Sequence, residues 1–267
     1  MTVRPLPLSV DTSLLATHEL SVRVGSRTLV PALSFAIRPG EFWCLLGRNG
    51  VGKTLLLHTL AGARLPAAGL LQMGGKPLAN WKLDELACWR GFMPQQLHDA
   101  FATPVLDVVL QGRHPHLSRW HWEGEADHAL ARAALARVGL AGFESRDVRS
   151  LSGGERQRVA LATLITQDPP LALLDEPLAH LDLAQQLRML TLLQDEVRQR
   201  GRAVLMSVHD LSLAERVATH VLLLPGDGAP AIAGPVAQVM QADTLSAAFD
   251  QPLRCHTLDG HRWWLPA

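Results

Sequence analysis

The sequence holds only three cysteines, Cys44, Cys88 and Cys255. Their scattered positions offer no metal-ligand spacing and no even set for disulfides, a usage that belongs to a reducing cytosol. Neither sign of charge is in excess, with 25 Lys and Arg against 25 Asp and Glu. The basic footprint of a nucleic-acid binder is therefore missing. Lysine itself is scarce, and Lys53, Lys76 and Lys82 are the full set. No stretch approaches the roughly 18 consecutive apolar residues that a bilayer span requires; the best runs, "AVLMSV" and "HVLLLP", are strand-sized. The opening "MTVRPLPLSV" lacks the basic region and apolar core of a signal peptide. A membrane role would have to come through another subunit.

What is present suits a buried α/β protein: 48% hydrophobic and 19% charged residues in a chain of 267, enough for one large domain or a core with an insertion. Residues 1–17, with two prolines and polar breaks, read as loosely ordered. "ELSVRVGSRTLVPALSFAIRPGEFWCLLG" alternates apolar and polar positions with turn signals at Gly25 and Pro39-Gly40, predicting antiparallel strands that feed a buried strand at Phe42–Leu46. "KTLLLHTLAG" follows as a helix stopped by Gly62. Further strands are expected at "LALLD" (171–175), "AVLMSV" (203–208) and "VLLL" (221–224), with helices over Asp182–Arg200 and Asp210–Thr219. Such alternation predicts a parallel sheet with helices on both faces. Between about residues 97 and 167 the pattern turns mostly helical, which reads as an insertion in that core.

"GRNGVGKT" fits G-x-x-x-x-G-K-[ST] through Gly47, Gly52, Lys53 and Thr54, directly after a strand and before a helix. Such a turn lets backbone N–H groups point inward around phosphates, and the helix dipole adds to the attraction. Lys53 should reach the β- and γ-phosphates, and the Thr54 hydroxyl should ligate Mg²⁺. Ordinary residue usage yields this string by chance in roughly one per cent of chains of this length, so an incidental lysine in a glycine-rich turn is the poorer explanation. "LALLDEP" ends an apolar strand on Asp175 and Glu176, two acids whose desolvation is costly without a cation. In a P-loop protein the first would hold Mg²⁺, and the second would orient or deprotonate the attacking water. His209 closes the next strand at the same sheet edge, where doubly wound sheets gather their ligands. It could hydrogen-bond the γ-phosphate there.

Together with "MPQ" (Met93–Gln95), "LSGGERQRV", "LAHLD" and "SVHD", these stretches stand in the order and spacing of ATP-binding-cassette ATPase subunits, which the chain resembles over about residues 18–225. The resemblance implies a P-loop NTPase (RecA-like) α/β core with an antiparallel β subdomain and an inserted α-helical subdomain. It sets an ATPase domain at 18–240 and a short extension at 241–267. ATP and Mg²⁺ are the implied ligands. Gly47, Arg48, Asn49, Gly50, Val51, Gly52, Lys53, Thr54 and Leu55 would hold the nucleotide, with Thr54, Gln95 and Asp175 on the metal. Lys53, Gln95, Glu176 and His209 would carry the chemistry. Ser152, Gly153 and Gly154 would touch the γ-phosphate of ATP on the opposite subunit, and Asp182 would belong to the loop that communicates across the dimer. The residues give this a physical basis, because Ser152 and Glu155 form an S-x-x-E capping box whose helix presents unpaired N–H groups and a positive dipole end. Under the resemblance that end lies far from its own P-loop, so two copies would pair head to tail to complete two sites.

With one ATPase domain and no span, the chain is similar to the separate subunits of bacterial importers. Their implied partners are a second copy, integral-membrane permease subunits and, indirectly, a periplasmic or surface substrate-binding protein, with no nucleic acid. The implied place is the cytoplasmic face of the inner membrane, as a peripheral protein. "TPVLDVVLQGRHPHLSRW", "AHLDLAQQLRMLTLL" and the tail "PVAQVMQADTLSAAFDQPLR" resemble the importers of cobalamin, haem and ferric siderophores, and "FATPV" tilts the reading towards cobalamin. The nearest rival is a soluble cassette of the iron–sulfur assembly type; a non-catalytic nucleotide switch would have no need of Glu176 and His209. His114, His116 and His121 invite a metal-site reading, but a proline and the lack of i,i+4 spacing make a loop against the membrane subunit the better one. Cys255, His256 and His261 are read with the same scepticism, and Trp263 and Trp264 as packed against the core. Two departures from the family pattern stand out. Val24 occupies the place of an aromatic that stacks on adenine, in a chain with no tyrosine at all, leaving Arg23 as a substitute. Leu55 replaces a second hydroxyl residue, so only its N–H is left for the α-phosphate.

Overall fold

Hydrophobic residues at consecutive positions of Phe42–Gly47 bury that strand on both faces, as expected where a parallel strand is covered from two sides. The computed structural model describes residues 13–96, 101–118 and 122–267. The chain starts with β1 (Leu15–Val24) and β2 (Arg27–Ile37), an antiparallel pair, followed by β3 (Phe42–Gly47) and α1 (Lys53–Leu60). Then come β4 (Ala68–Met73), β5 (Lys76–Pro77), α2 (Leu83–Trp89) and β6 (Arg90–Met93). A helical stretch holds α3 (Val105–Leu110), α4 (Glu125–Arg137) and α5 (Gly153–Gln167). Strand–helix alternation resumes with β7 (Leu171–Leu174), α6 (Leu183–Arg200), β8 (Ala203–Ser207), α7 (Leu211–Val217) and β9 (His220–Leu224). The tail forms β10 (Ile232–Pro235), α8 (Val236–Val239), α9 (Ala242–Phe249), and a hairpin of β11 (Leu253–Leu258) and β12 (His261–Pro266).

The main sheet runs β10-β9-β3-β8-β7-β6, with only β10 antiparallel to its neighbour, and a second sheet runs β2-β1-β4-β5. Alternation along the central strands divides the core in two. Leu45, Leu173, Leu205 and Leu222 face the antiparallel sheet, with Leu56, Leu57 and Leu60 of α1 packed between. Cys44, Leu46, Leu174, Met206 and Leu223 face the other way, onto α5 and α6 through Val159, Leu161, Leu190 and Leu193. The sheet's carboxyl edge is thereby fixed between two packed layers, and the motif residues lie on it or at the starts of α1, α5 and α6.

Three expectations change. Leu14 and Leu15 are fully buried and Leu14 N–H donates to the Ile37 carbonyl at 2.8 Å, so order begins before residue 17; residues 1–12 lie outside the described part. The helix expected to reach Thr219 ends at Val217, because the Thr219 backbone and hydroxyl are engaged with Phe42 at 2.8 and 2.9 Å. Trp264 is buried, its indole N–H donating to Glu215 at 3.1 Å, whereas Trp263 on the opposite strand face is half exposed.

Candidate functional site

β3 ends at Gly47 with φ 146°, and a Cβ there would stand 2.6 Å from the Leu224 carbonyl oxygen. Only glycine lets the two strand ends meet this closely. The turn continues through Arg48, Asn49, Gly50 and Val51 to Gly52, the left-handed N-cap of α1, which has no side chain to satisfy the helix's first N–H groups. They are left to an anion or water. Lys53 folds beneath this turn, donating to the carbonyls of Gly47 at 2.8 Å and Arg48 at 3.1 Å. Burial holds its pKa below the usual lysine value, opposed by the carboxylates of Glu176 and Asp175. Arg48 also reaches Asp250, the cap after α9, at 3.5 Å.

Across from Lys53, β7 and β8 supply the acids. Asp175 is fully buried. Its Oδ1 accepts from the Ser207 hydroxyl at 2.7 Å, while its Oδ2 is buried and has no hydrogen-bond partner. A bare buried carboxylate oxygen is costly, and it is the donor a hard divalent cation prefers. Thr54 and Gln95 line the cleft together with Glu176, the residue after Asp175, so the donor set is all oxygen and fits Mg²⁺. Ser207 Oγ additionally accepts the Glu176 N–H at 2.7 Å. Glu176 has φ 48°, a left-handed conformation unusual outside glycine. Its carboxylate meets His209 Nε2 at 2.8 Å, so base candidate and histidine form a pair at the rim. The cleft of about 410 Å³ is lined by Asn49, Gly50, Gly52, Lys53, Thr54, Leu55, Gln95, Glu176 and His209.

Ser152, Gly153 and Gly154 are not among that lining. They open α5, where Ser152 Oγ accepts from Glu155 N–H at 3.2 Å and Glu155 returns the bond to Ser152 N–H at 2.7 Å. That backbone bond holds the Glu155 carboxyl below its ordinary pKa. Asp182 caps α6 through Gln185 N–H at 2.8 Å, and the turn before it, at His180, lies against Gly154. One chain thus carries two anion-receptive helix starts in separate places.

Other expected groups take ordinary partners. Val24 is 47% exposed at the end of β1, and the Arg23 carbonyl accepts from Arg64. His114 meets Glu123 at 3.2 Å and His116 the Gln167 carbonyl at 2.7 Å, while His121 lies outside the described residues. Among the described residues no group of three His, Cys, Asp or Glu could hold a metal ion, and the Cys255 sulfur accepts a hydrogen bond from Arg262 Nε at 3.3 Å. Two site residues escaped the sequence reading. Ser207 carries a signal, a hydroxyl two places before His209 at a strand end. Gln157 sits inside the quoted "LSGGERQRV" and donates to the Glu176 carbonyl at 3.1 Å.

Comparison with known proteins agrees with this geometry. The family described as ABC transporter matches residues 30–179. The chain is 40% identical over 256 residues to the hemin import ATP-binding protein HmuV of Streptomyces coelicolor, covering 94% of this chain and 88% of that one. It is 38% identical to the cobalamin import ATP-binding protein BtuD of Halobacterium salinarum, over 86% of this chain and 57% of that protein. Among solved structures, an ABC transporter assigned to the metal-chelate type, in an inward-facing conformation, superposes with a TM-score of 0.82 at 28% identity, over 96% of this chain and 98% of that one.

Proposed function

The chain belongs to the ABC transporter family of ATPases, and from that premise we propose that it drives uptake of a metal chelate through a separate membrane permease, hydrolysing ATP as a head-to-tail dimer. The cargo class follows from relatives that import hemin and cobalamin, and from the metal-chelate transporter with the same fold. The cargo is not narrowed to cobalamin, since the hemin relative is more similar to the chain than the cobalamin one.

The observation that carries the reaction is the convergence of Lys53 and the Glu176–His209 pair on one cleft at the sheet's carboxyl edge, with the unpartnered Asp175 oxygen buried behind it and its charge acting on Lys53. ATP would lie with its phosphates over the Gly47–Thr54 turn. Lys53 gives up its carbonyl partners for the β- and γ-oxygens, and its lowered pKa is raised again by that negative charge. Thr54, Asp175 and Gln95 would hold Mg²⁺, which neutralises charge on the phosphates when bound. Glu176 orients the attacking water and takes its proton, and His209 moves from Glu176 to the γ-phosphate. The second copy's Ser152–Gly154 closes the cage, by the same helix-start chemistry that receives phosphate at α1.

Coupling to the permease is supported by a groove of about 210 Å³ next to Gln95, between β6 and α5, lined by Phe92, Met93, Pro94, Val108, Gln111 and Arg156. An apolar permease segment seated there would feel any shift of α5 or of Gln95. No described helix is long and apolar enough to cross a membrane, consistent with a peripheral place on the cytoplasmic face. The test is Glu176→Gln in the full chain. Phosphate release should fall by roughly a hundredfold or more and the protein should form an ATP-stabilised dimer. Normal turnover together with a monomer in ATP would overturn the proposal.

A further inference from the structure

Gln157 is a polar side chain buried to 3% exposure in the middle of an apolar helix face. Its amide has one partner given by the fold, the main-chain carbonyl of Glu176 at 3.1 Å. That carbonyl also accepts the Ala179 N–H at 3.1 Å, and the Glu176 N–H is held by Ser207. A left-handed, non-glycine backbone persists only where its surroundings over-determine it. Here the surroundings are β8 on one side and α5 on the other. Gln157 lies one helical turn after Gly153 and Gly154, so it moves rigidly with the end of α5 that the preceding reading assigns to the second copy's nucleotide. The same helix start is pressed against the turn after Glu176, because a Cβ at Gly154 would stand 2.8 Å from the His180 carbonyl oxygen. Gln186 fixes that turn from α6, donating to the Leu178 and Leu181 carbonyls at 3.3 and 3.2 Å.

The geometry points to Gln157 as a positioning residue that ties the carboxylate of one ATP site to occupancy of the other. When the second copy's phosphates settle on Ser152–Gly154, α5 takes a fixed place, and through the Gln157 amide the Glu176 backbone is set at the φ from which its carboxylate faces the water. Gln157 does not line the cleft. The inference rests on the head-to-tail reading but asks more of it, namely that the two sites in a dimer communicate inside each chain as well as across the interface.

The test compares the full wild-type chain with Gln157→Met, which keeps length and removes the donor, and Gln157→Glu, which keeps the shape and regains a donor only when protonated. Phosphate release is followed against ATP concentration from pH 5 to 8, beside thermal unfolding. For Gln157→Met we expect kcat to fall roughly ten- to a hundredfold, the scale of a misplaced catalytic group, with KM for ATP and the unfolding midpoint close to wild type. The Hill coefficient should drop from above 1 to about 1. Gln157→Glu should recover kcat relative to wild type as the pH falls. Unchanged kcat and cooperativity in Gln157→Met, or loss of activity only in proportion to lost stability without recovery in Gln157→Glu, would overturn the inference while leaving the dimer standing. A non-cooperative, monomeric wild type would remove the dimer reading and this inference together.

Discussion

The two oxygens of Asp175 divide the work at the smallest scale. One is held by Ser207, which fixes the carboxylate, and the other is buried without a hydrogen-bond partner. Asp175→Asn preserves the first contact and presents an amide in place of the bare oxygen. Turnover should therefore fall roughly 10²–10³-fold, as for other losses of a preorganised electrostatic group, while the unfolding midpoint stays put; phosphate release at increasing Mg²⁺ is the measurement, and full rescue by metal would contradict the assignment. Val24 makes a different prediction. An exposed valine at the end of β1 offers no π-face, and base–aromatic stacking contributes about 1 kcal/mol or more. Val24→Tyr should tighten ATP binding by roughly fivefold, read by titration with a fluorescent analogue, and an unchanged affinity would mean that the base lies elsewhere. Burial raises the Cys44 thiol well above the ordinary cysteine pKa, whereas Cys255 is exposed. Alkylation of the native protein at pH 8 should label Cys255 and spare Cys44 until denaturant opens the core, as intact-mass analysis would record.

Helix caps were the most legible elements because their chemistry is local. Asp182 and Asp210 are side-chain N-caps, bonded to Gln185 and Leu213, and Gly201 ends α6 in the left-handed region. The Ser152–Glu155 box was equally readable and is formed in both directions. What stayed hidden is decided by partners far off in the chain. The early end of α7 depends on Phe42, 177 residues from Thr219. Ser207 gains its meaning from acids 31 and 32 residues away, and Gln157 from a carbonyl 19 residues on. The tail hairpin is likewise decided by the fold, because a strand sends neighbours such as Trp263 and Trp264 to opposite faces. The cap itself is testable. Ser152→Ala should cost about 1 kcal/mol of stability, seen in denaturant unfolding. Glu155 is depressed by its bond from Ser152 N–H. A depressed folded-state pKa means that this contribution is present above the ordinary value of 4.5 and is lost as the pH falls through the lower folded one. The difference between wild type and Glu155→Gln should therefore shrink in acid, and a constant gap from pH 7 to 3 would dissociate the carboxylate from the cap.

At the scale of the whole molecule, the decisive fact is a separation. The cleft lined by Lys53, Thr54 and Glu176 contains none of Ser152–Gly154, although both α1 and α5 begin with N–H groups suited to phosphate. Gly154 is packed so tightly on the His180 turn that α5 cannot swing round to its own P-loop without breaking that contact. Under the proposed head-to-tail pairing, two copies that bring their α5 starts to each other's clefts would satisfy both ends at once. A direct check places one cysteine at Asn49 and one at Ser152 in a chain whose Cys88 and Cys255 are serine, Cys44 being buried beyond reach. With ATP and the Glu176→Gln change to hold the closed state, mild oxidation should link the two new thiols between chains and give a covalent dimer, with little product when ATP is withheld. If the bond instead forms within single chains, the packing of α5 against the His180 turn is weaker than its geometry implies, and the site would be completed from inside one polypeptide.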